Sequence, residues 1–90
     1  MCRNIKTLYN FEPSATDQEI YDASLQYVRK ISGFHHPSKI NEKAFSHAVT
    51  HIMEASKELI ESLETDALPH DREIEKQKAH ARALKRFGHN

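Results

Sequence analysis

The sequence is poor in the residues that build turns and cross-links: it has two glycines, three prolines, one cysteine and no tryptophan. So few glycines and prolines argue against a turn-rich all-β architecture. A single cysteine cannot form an internal disulfide, which favours a reducing compartment. No apolar run approaches the roughly 18 residues of a membrane span, and no signal-peptide stretch opens the chain. We therefore expect a cytoplasmic protein with no membrane partner.

What is present fits one small soluble domain over residues 1–90. The chain is 38% apolar and 29% charged, and a chain of this length can bury only a modest core. Its formal net charge of zero conceals an uneven distribution. Residues 17–75 hold twelve acids and six bases, whereas residues 76–90 hold five bases and no acid. The pattern predicts an acidic body with a basic C-terminal arm over 76–90.

The first of three predicted helices is defined by its ends. Thr16 and Glu19 form a capping box, in which each side chain accepts a hydrogen bond from the other residue's backbone N–H. Gly33 suits the left-handed conformation that ends a helix. These signals predict a helix at about 17–32.

Two further helices are predicted at about 40–64 and 71–87. In the longer one, apolar and small residues recur at three- and four-residue steps and form a seam that another helix should cover: Phe45, Val49, Ile52, Ser56, Leu59 and Leu63. Asp71 should cap the last helix, whose apolar face is thin: Ile74, Ala81 and Leu84. The expected fold is all-α, a small bundle of three main helices with an ordered N-terminal segment packed across it. A short helical turn is predicted over residues 3–10.

No cofactor is expected, because the chain has no metal-ligand cysteine pair, phosphate-binding glycine loop or nucleophile elbow. Cys2 is favoured as a packed or terminal residue, and a thiol or metal role for it is the lesser alternative. His47 and His51 have the i, i+4 spacing that can hold a divalent metal, but they point away from the seam. We expect no native metal site there, only adventitious binding. The His35–His36 pair lies in a loop with nothing to fix its geometry.

Two basic groups can contact phosphates. One is the corner formed by Arg29 and Lys30 at the end of the first helix, and the other is the C-terminal arm with Lys76, Lys78, Arg82, Lys85 and Arg86. Together they predict sequence-tolerant nucleic-acid binding as an alternative function. The arm can equally dock on a protein partner or fold back on the acidic body.

Several short motifs resemble a bacterial family of uncharacterised proteins, a domain of unknown function. They are Cys2-Arg3-Asn4-Ile5, Asn10-Phe11-Glu12-Pro13 with Ala15-Thr16, Leu25 to Lys30, Ser32-Gly33, Pro37-Ser38, Asn41, Ala44-Phe45, Ala48-Val49, and Lys78-Ala79 with Arg82 and Phe87. The resemblance implies a small bacterial cytosolic protein and brings no activity or catalytic residue. Its polar members suggest a ligand or partner surface: Cys2, Arg3, Asn4, Asn10, Glu12, Gln26, Arg29 and Lys30.

The function expected first is a non-enzymatic interaction or adaptor module. Its partner would be another protein, or a second copy of the chain; self-association would use the seam of the longest helix.

Overall fold

The computed structural model describes residues 5–87, and the side chains of residues 5–85. The elements in order are β1 (Phe11–Glu12), α1 (Asp17–Ser32), a 3-10 turn (Lys39–Asn41), α2 (Glu42–Ser62), β2 (His70–Asp71) and α3 (Arg72–Phe87). The all-α prediction with three main helices is confirmed. In the described chain, no helix has the length and apolarity that crossing a membrane requires.

Helix α1 forms between the capping residues that the sequence indicated. Thr16 Oγ1 accepts from the Glu19 N–H at 3.1 Å, and Glu19 Oε1 accepts from the Thr16 N–H at 2.8 Å. At the other end Gly33 has a φ of 78°, and its N–H donates to the Arg29 carbonyl at 2.9 Å. Both predicted helix signals are therefore confirmed.

Helices α1 and α2 pack against each other in an antiparallel pair and bury the small core. Ile20, Val28 and Val49 are buried, together with Ser24, whose hydroxyl donates to the Ile20 carbonyl at 2.8 Å. The seam of α2 is only partly covered. Its first half, from Phe45 to Ser56, is buried or half-buried, whereas Leu59 and Leu63 are 57% and 44% exposed.

The N-terminal segment runs along α1, but the helical turn predicted over residues 3–10 is wrong for the described residues 5–10, none of which is helical. Ile5 lines a shallow hollow between α1 and α2. Asn10 has a left-handed φ of 64°, and its carbonyl accepts from the His70 N–H at 2.8 Å. The backbone there bonds to a distant part of the chain instead of its own next turn.

This pairing creates the two-residue strands, which the sequence did not predict. β1 pairs in parallel with β2, with Phe11 opposite His70 and Glu12 opposite Asp71. The pairing also sets where α3 begins. Asp71 caps α3 as expected, accepting from the Ile74 N–H at 3.0 Å.

The apolar face predicted for α3 is uncovered from the first turn of the helix onwards. Ile74 and Leu84 are each 51% exposed, and Ala81 is exposed as well. The chain as a whole is flat and expanded, with extents of 48 × 39 × 19 Å and a radius of gyration of 16.1 Å. A compact 90-residue domain would have a radius of gyration of about 12 Å.

Candidate functional site

The most densely bonded polar group in the described chain is the guanidinium of Arg72, the first residue of α3. Its two terminal nitrogens donate to the Glu19 carboxylate at 2.8 and 3.0 Å. Its Nε donates to the Pro13 carbonyl at 2.7 Å. The same group lies 5.5 Å from the centre of the Phe11 ring, within the range of a cation–π contact. We call this group of contacts the Arg72 clamp.

Glu19 carries two tasks in the clamp. It closes the capping box of α1 and binds Arg72 in the bidentate geometry that suits a guanidinium and a carboxylate. The hydrogen bonds from Arg72, and then those from the Thr16 N–H, lower the pKa of Glu19 from 4.5 to about 2. The same contact raises the pKa of Arg72. The pair therefore stays charged at every physiological pH and acts as a structural link rather than an acid or base.

Asn10 and His70 extend the junction on the strand side. The Asn10 side-chain amide lies 3.4 and 3.3 Å from the carbonyl oxygens of Ala67 and Leu68. The His70 ring lies 5.2 Å from the Phe11 ring, and its Nδ1 lies 3.4 Å from a carboxylate oxygen of Glu75. These contacts hold together the start of α3, the segment that joins α2 to α3, and the N-terminal segment.

A cleft of about 560 Å³ opens beside the clamp, between residues 6–11 and one side of α3. Its apolar lining comes from Leu8, Phe11 and Ala79. Its charged lining is mixed: Lys6, Glu19, Arg72, Glu73, Glu75, Lys76 and Arg82. The arrangement places cations and carboxylates side by side around an apolar floor.

A model of an uncharacterized conserved protein family (DUF2277) matches residues 1–78. The chain belongs to the DUF2277 family. Comparison with curated proteins and with solved structures found no match. The family description assigns no activity. The DUF2277 match contains the whole Arg72 clamp and both strands, and it ends within α3, before Ala79, Arg82 and Phe87.

The ligand or partner surface suggested by the resemblance is spread over the molecule. Asn10 and Glu12 lie at the clamp, near the start of α1. Gln26 lies midway along α1, beside Lys6. Arg29 and Lys30 occupy the last turn of α1, about 15 Å along the helix from Glu19. The remaining members, Cys2, Arg3 and Asn4, lie outside the described residues.

The two basic groups of the nucleic-acid alternative are also apart. Arg29 is partly engaged, because its Nε donates to the His35 carbonyl at 2.9 Å. The arm is helical from residue 76 to residue 87 and begins near the first turn of α1, with Lys76 and Arg82 beside the cleft. Lys78 and Lys85 lie on the exposed part of α3, and the side chain of Arg86 lies outside the described set. The six of these seven residues whose side chains the structure describes do not share one surface.

The four histidines that the sequence placed in pairs, at positions 35, 36, 47 and 51, are exposed. The His47 and His51 rings are 4.1 Å apart on α2, and those of His35 and His36 are 4.5 Å apart in the loop. Within residues 5–85, no cluster of three or more histidine, cysteine or acidic side chains has the geometry to hold a metal ion.

Arg72 itself was not among the residues that the sequence singled out, and Glu19 was assigned only a capping role. The sequence does contain one signal that points to Arg72. A cation at the first position of a helix lies at the positive end of the helix dipole, where it is locally unfavourable. An arginine placed there between Asp71 and Glu73 indicates a partner outside its own helix.

Proposed function

We propose that the chain is a small non-enzymatic interaction module that binds a protein partner through its uncovered apolar residues. The main support for this proposal is the large solvent-accessible surface area of the chain. The chain exposes 7528 Å², whereas a compact monomer of 10.4 kDa is expected to expose about 5,400 Å². An excess of roughly 2,000 Å² exceeds what a standard protein interface buries on each side, about 800 Å².

The apolar part of this surface is arranged as a helix face. Ile74, Ala81 and Leu84 fall within about 80° of one another around α3, at 100° per residue; we call them the α3 stripe. Ala79, which lines the cleft, lies on the opposite side of α3. A stripe of this spacing is the form in which an amphipathic helix enters a hydrophobic groove.

The Arg72 clamp supports the same function. It joins the first residue of α3 to α1 and to the N-terminal segment through three hydrogen bonds. A helix whose starting point and direction are fixed loses less conformational entropy when it binds. The clamp therefore presents the stripe in a preorganised position.

The test compares two variants of equal net charge. Ile74→Glu with Leu84→Glu places two acids in the stripe, and Lys76→Glu changes the net charge by the same amount on the cleft side of α3. Both chains and the wild type are tagged, checked for helicity by circular dichroism, and used to capture partners from nuclease-treated native extract.

We expect the stripe variant alone to lose a partner that the wild type and Lys76→Glu retain. Capture of the same proteins by all three chains would contradict the proposal.

Nucleic-acid binding is the second candidate, favoured by one observation: Lys6, Lys76 and Arg82 line a single cleft. In this case Lys76→Glu should weaken binding to a short duplex and lower its salt dependence, while the stripe variant of equal charge binds like the wild type. Binding that is insensitive to Lys76→Glu would remove this candidate.

A further inference from the structure

The cleft beside the Arg72 clamp has the size and lining of a small-molecule site. Its volume of about 560 Å³ falls within the range of roughly 300–1,000 Å³ in which proteins bind small molecules. Its floor is apolar, formed by the half-buried side chains of Leu8 and Phe11 and by Ala79 of α3. Because Ala79 lies opposite the α3 stripe, the cleft and the stripe use different sides of the same helix.

Three of the cations that line the cleft form no ion pair within residues 5–85, and we call them the cleft cations: Lys6, Lys76 and Arg82. Arg72, the fourth cation of the lining, is neutralised by Glu19 at 2.8 Å. Among the described residues, three positive charges are therefore left over beside an apolar floor.

The acids that line the cleft leave this excess of positive charge in place. Glu75 lies within 3.5 Å of both Nδ1 of His70 and Nζ of Lys78. Glu73 is the one lining acid without an ion pair in the described part of the chain, and it lies six residues and about 120° around α3 from Ala79. The two cleft cations of α3 lie three residues and about 60° from Ala79, one on either side. An anion held beside Ala79 is therefore nearer to two cations than to the unpaired acid.

We propose that the cleft binds a small amphipathic anion. Its apolar part lies against Leu8 and Phe11, and its carboxylate, sulfonate or phosphate group lies beside the cleft cations. A neutral apolar molecule or a bare inorganic anion would match only one half of the lining, whereas an amphipathic anion matches both. This inference goes beyond the proposed function and does not depend on it, because the protein partner would bind the other side of α3.

The two walls of the cleft, residues 6–11 and α3, are held together at the end where β1 pairs with β2. Arg72 donates to the Pro13 carbonyl at this end, at 2.7 Å. Arg82 lies about 15 Å further along α3 than Arg72. A ligand that contacts Leu8 and Arg82 together adds a second connection between the walls, so its binding should raise the Tm of the chain.

The first experiment titrates the full chain with anilinonaphthalene sulfonate, an aromatic anion whose fluorescence rises in apolar surroundings. Phenylnaphthylamine, which lacks the sulfonate, is the matched neutral probe. Lys76→Gln with Arg82→Gln should weaken binding of the sulfonate by about tenfold and leave the affinity for the neutral probe unchanged.

The control for this pair is Lys39→Gln with Lys43→Gln, which removes the same charge from exposed positions at the start of α2. It should bind both probes like the wild type. Equal weakening of sulfonate binding in the two double variants, or no weakening in either, overturns the inference.

A second comparison tests whether the probes bind in the cleft or on other exposed apolar surface. Ala79→Phe fills the floor of the cleft and should abolish binding of both probes. Ile74→Ser with Leu84→Ser removes the α3 stripe without a change of charge and should leave binding unchanged. All variants are checked for helicity by circular dichroism. If the stripe variant loses the probes and Ala79→Phe keeps them, the inference is wrong.

The third experiment tests the class of ligand by competition with the bound sulfonate probe. Decanoate, an anion with an apolar chain, should displace the probe and raise the Tm of the wild type but not of Ala79→Phe. Decanol and inorganic phosphate, each with only one of the two features, should not displace it at the same concentration. Displacement by a short DNA duplex but not by decanoate would assign the cleft to nucleic-acid phosphates and overturn the inference.

Discussion

The charge of Glu19 is predicted to stabilise the fold in a pH-dependent manner. Glu19→Gln keeps the side-chain oxygen that accepts from the Thr16 N–H, because glutamine also serves in a capping box. It removes the negative charge that faces the Arg72 guanidinium at 2.8 Å. The substitution therefore separates the ion pair from the cap.

The size of this stabilisation follows from the pKa of Glu19 and from the exposure of the ion pair. A pKa lowered from 4.5 to about 2 corresponds to roughly 3 kcal/mol before solvent screening. The side chains of Arg72 and Glu19 are 34% and 33% exposed, and solvent screening reduces the contribution of such a pair to about 1 kcal/mol. We expect Glu19→Gln to lower the free energy of unfolding by about 1 kcal/mol at pH 7. In a domain of this size that is roughly 4–8 °C in Tm.

The sign of the pH dependence is fixed by the direction of the shift. Because the pKa of Glu19 is lower in the folded than in the unfolded state, its contribution is fully present above pH 4.5 and is lost as the pH falls towards 2. The difference in free energy of unfolding between the wild type and Glu19→Gln should therefore fall, by about pH 3, to less than half of its value at pH 7.

The assay is urea denaturation followed by circular dichroism, at pH 7 and pH 3, for the wild type, Glu19→Gln and the control Glu61→Gln on the exposed face of α2. An NMR titration should show the pKa of Glu19 below 4.5 in the wild type and closer to 4.5 in Arg72→Ala, because the hydrogen bonds from Arg72 are the largest cause of the shift. Equal stability of wild type and Glu19→Gln at pH 7, or a difference that is the same at both pH values, would refute the reasoning.

Three further predictions concern the cap, the left-handed turn and the core. Thr16→Ala should lower the free energy of unfolding by about 1 kcal/mol through loss of the α1 cap, and Thr16→Ser should restore most of it; equal melting curves would contradict this. Asn10 has a φ of 64°, so Asn10→Gly should be more stable than Asn10→Ala, because alanine costs about 1–2 kcal/mol in the left-handed region. If urea titration shows Asn10→Ala to be the more stable variant, the backbone strain inferred at this position is wrong. Ile20→Ala should cost about 2–5 kcal/mol because Ile20 is 3% exposed, whereas Ile40→Ala at 90% exposure should leave the urea midpoint unchanged.

The helices could be predicted because each begins and ends with a local signal. The capping box at Thr16 and the left-handed Gly33 gave α1 its observed bounds of Asp17–Ser32. Apolar spacing predicted α2 at 40–64, and the structure has it at Glu42–Ser62, after a 3-10 turn. Such signals act between residues three or four apart, so the sequence contains them in full.

The candidate site could not be predicted in the same way, because it joins residues far apart in the chain. Arg72 meets Glu19 across 53 positions, and Asn10 bonds to carbonyls 57 and 58 positions away. The spacing of apolar residues along the sequence does not indicate which distant residues form such pairs. The helical turn expected over residues 3–10 was wrong for residues 5–10 for the same reason, since the bond from the His70 N–H to the Asn10 carbonyl replaces a local one.

The sequence by itself therefore determined the helical class, the ends of α1, the cap of α3 and the separation of an acidic body from a basic arm, because short-range hydrogen bonding and composition are enough to specify them. Only the tertiary structure decided that α3 is held at its first residue by Glu19 and Pro13, and that the α3 stripe and the two leucines at the end of α2, Leu59 and Leu63, remain exposed. Those features depend on how distant segments meet in space, where one bidentate ion pair and a two-residue strand pairing fix the position of an entire helix.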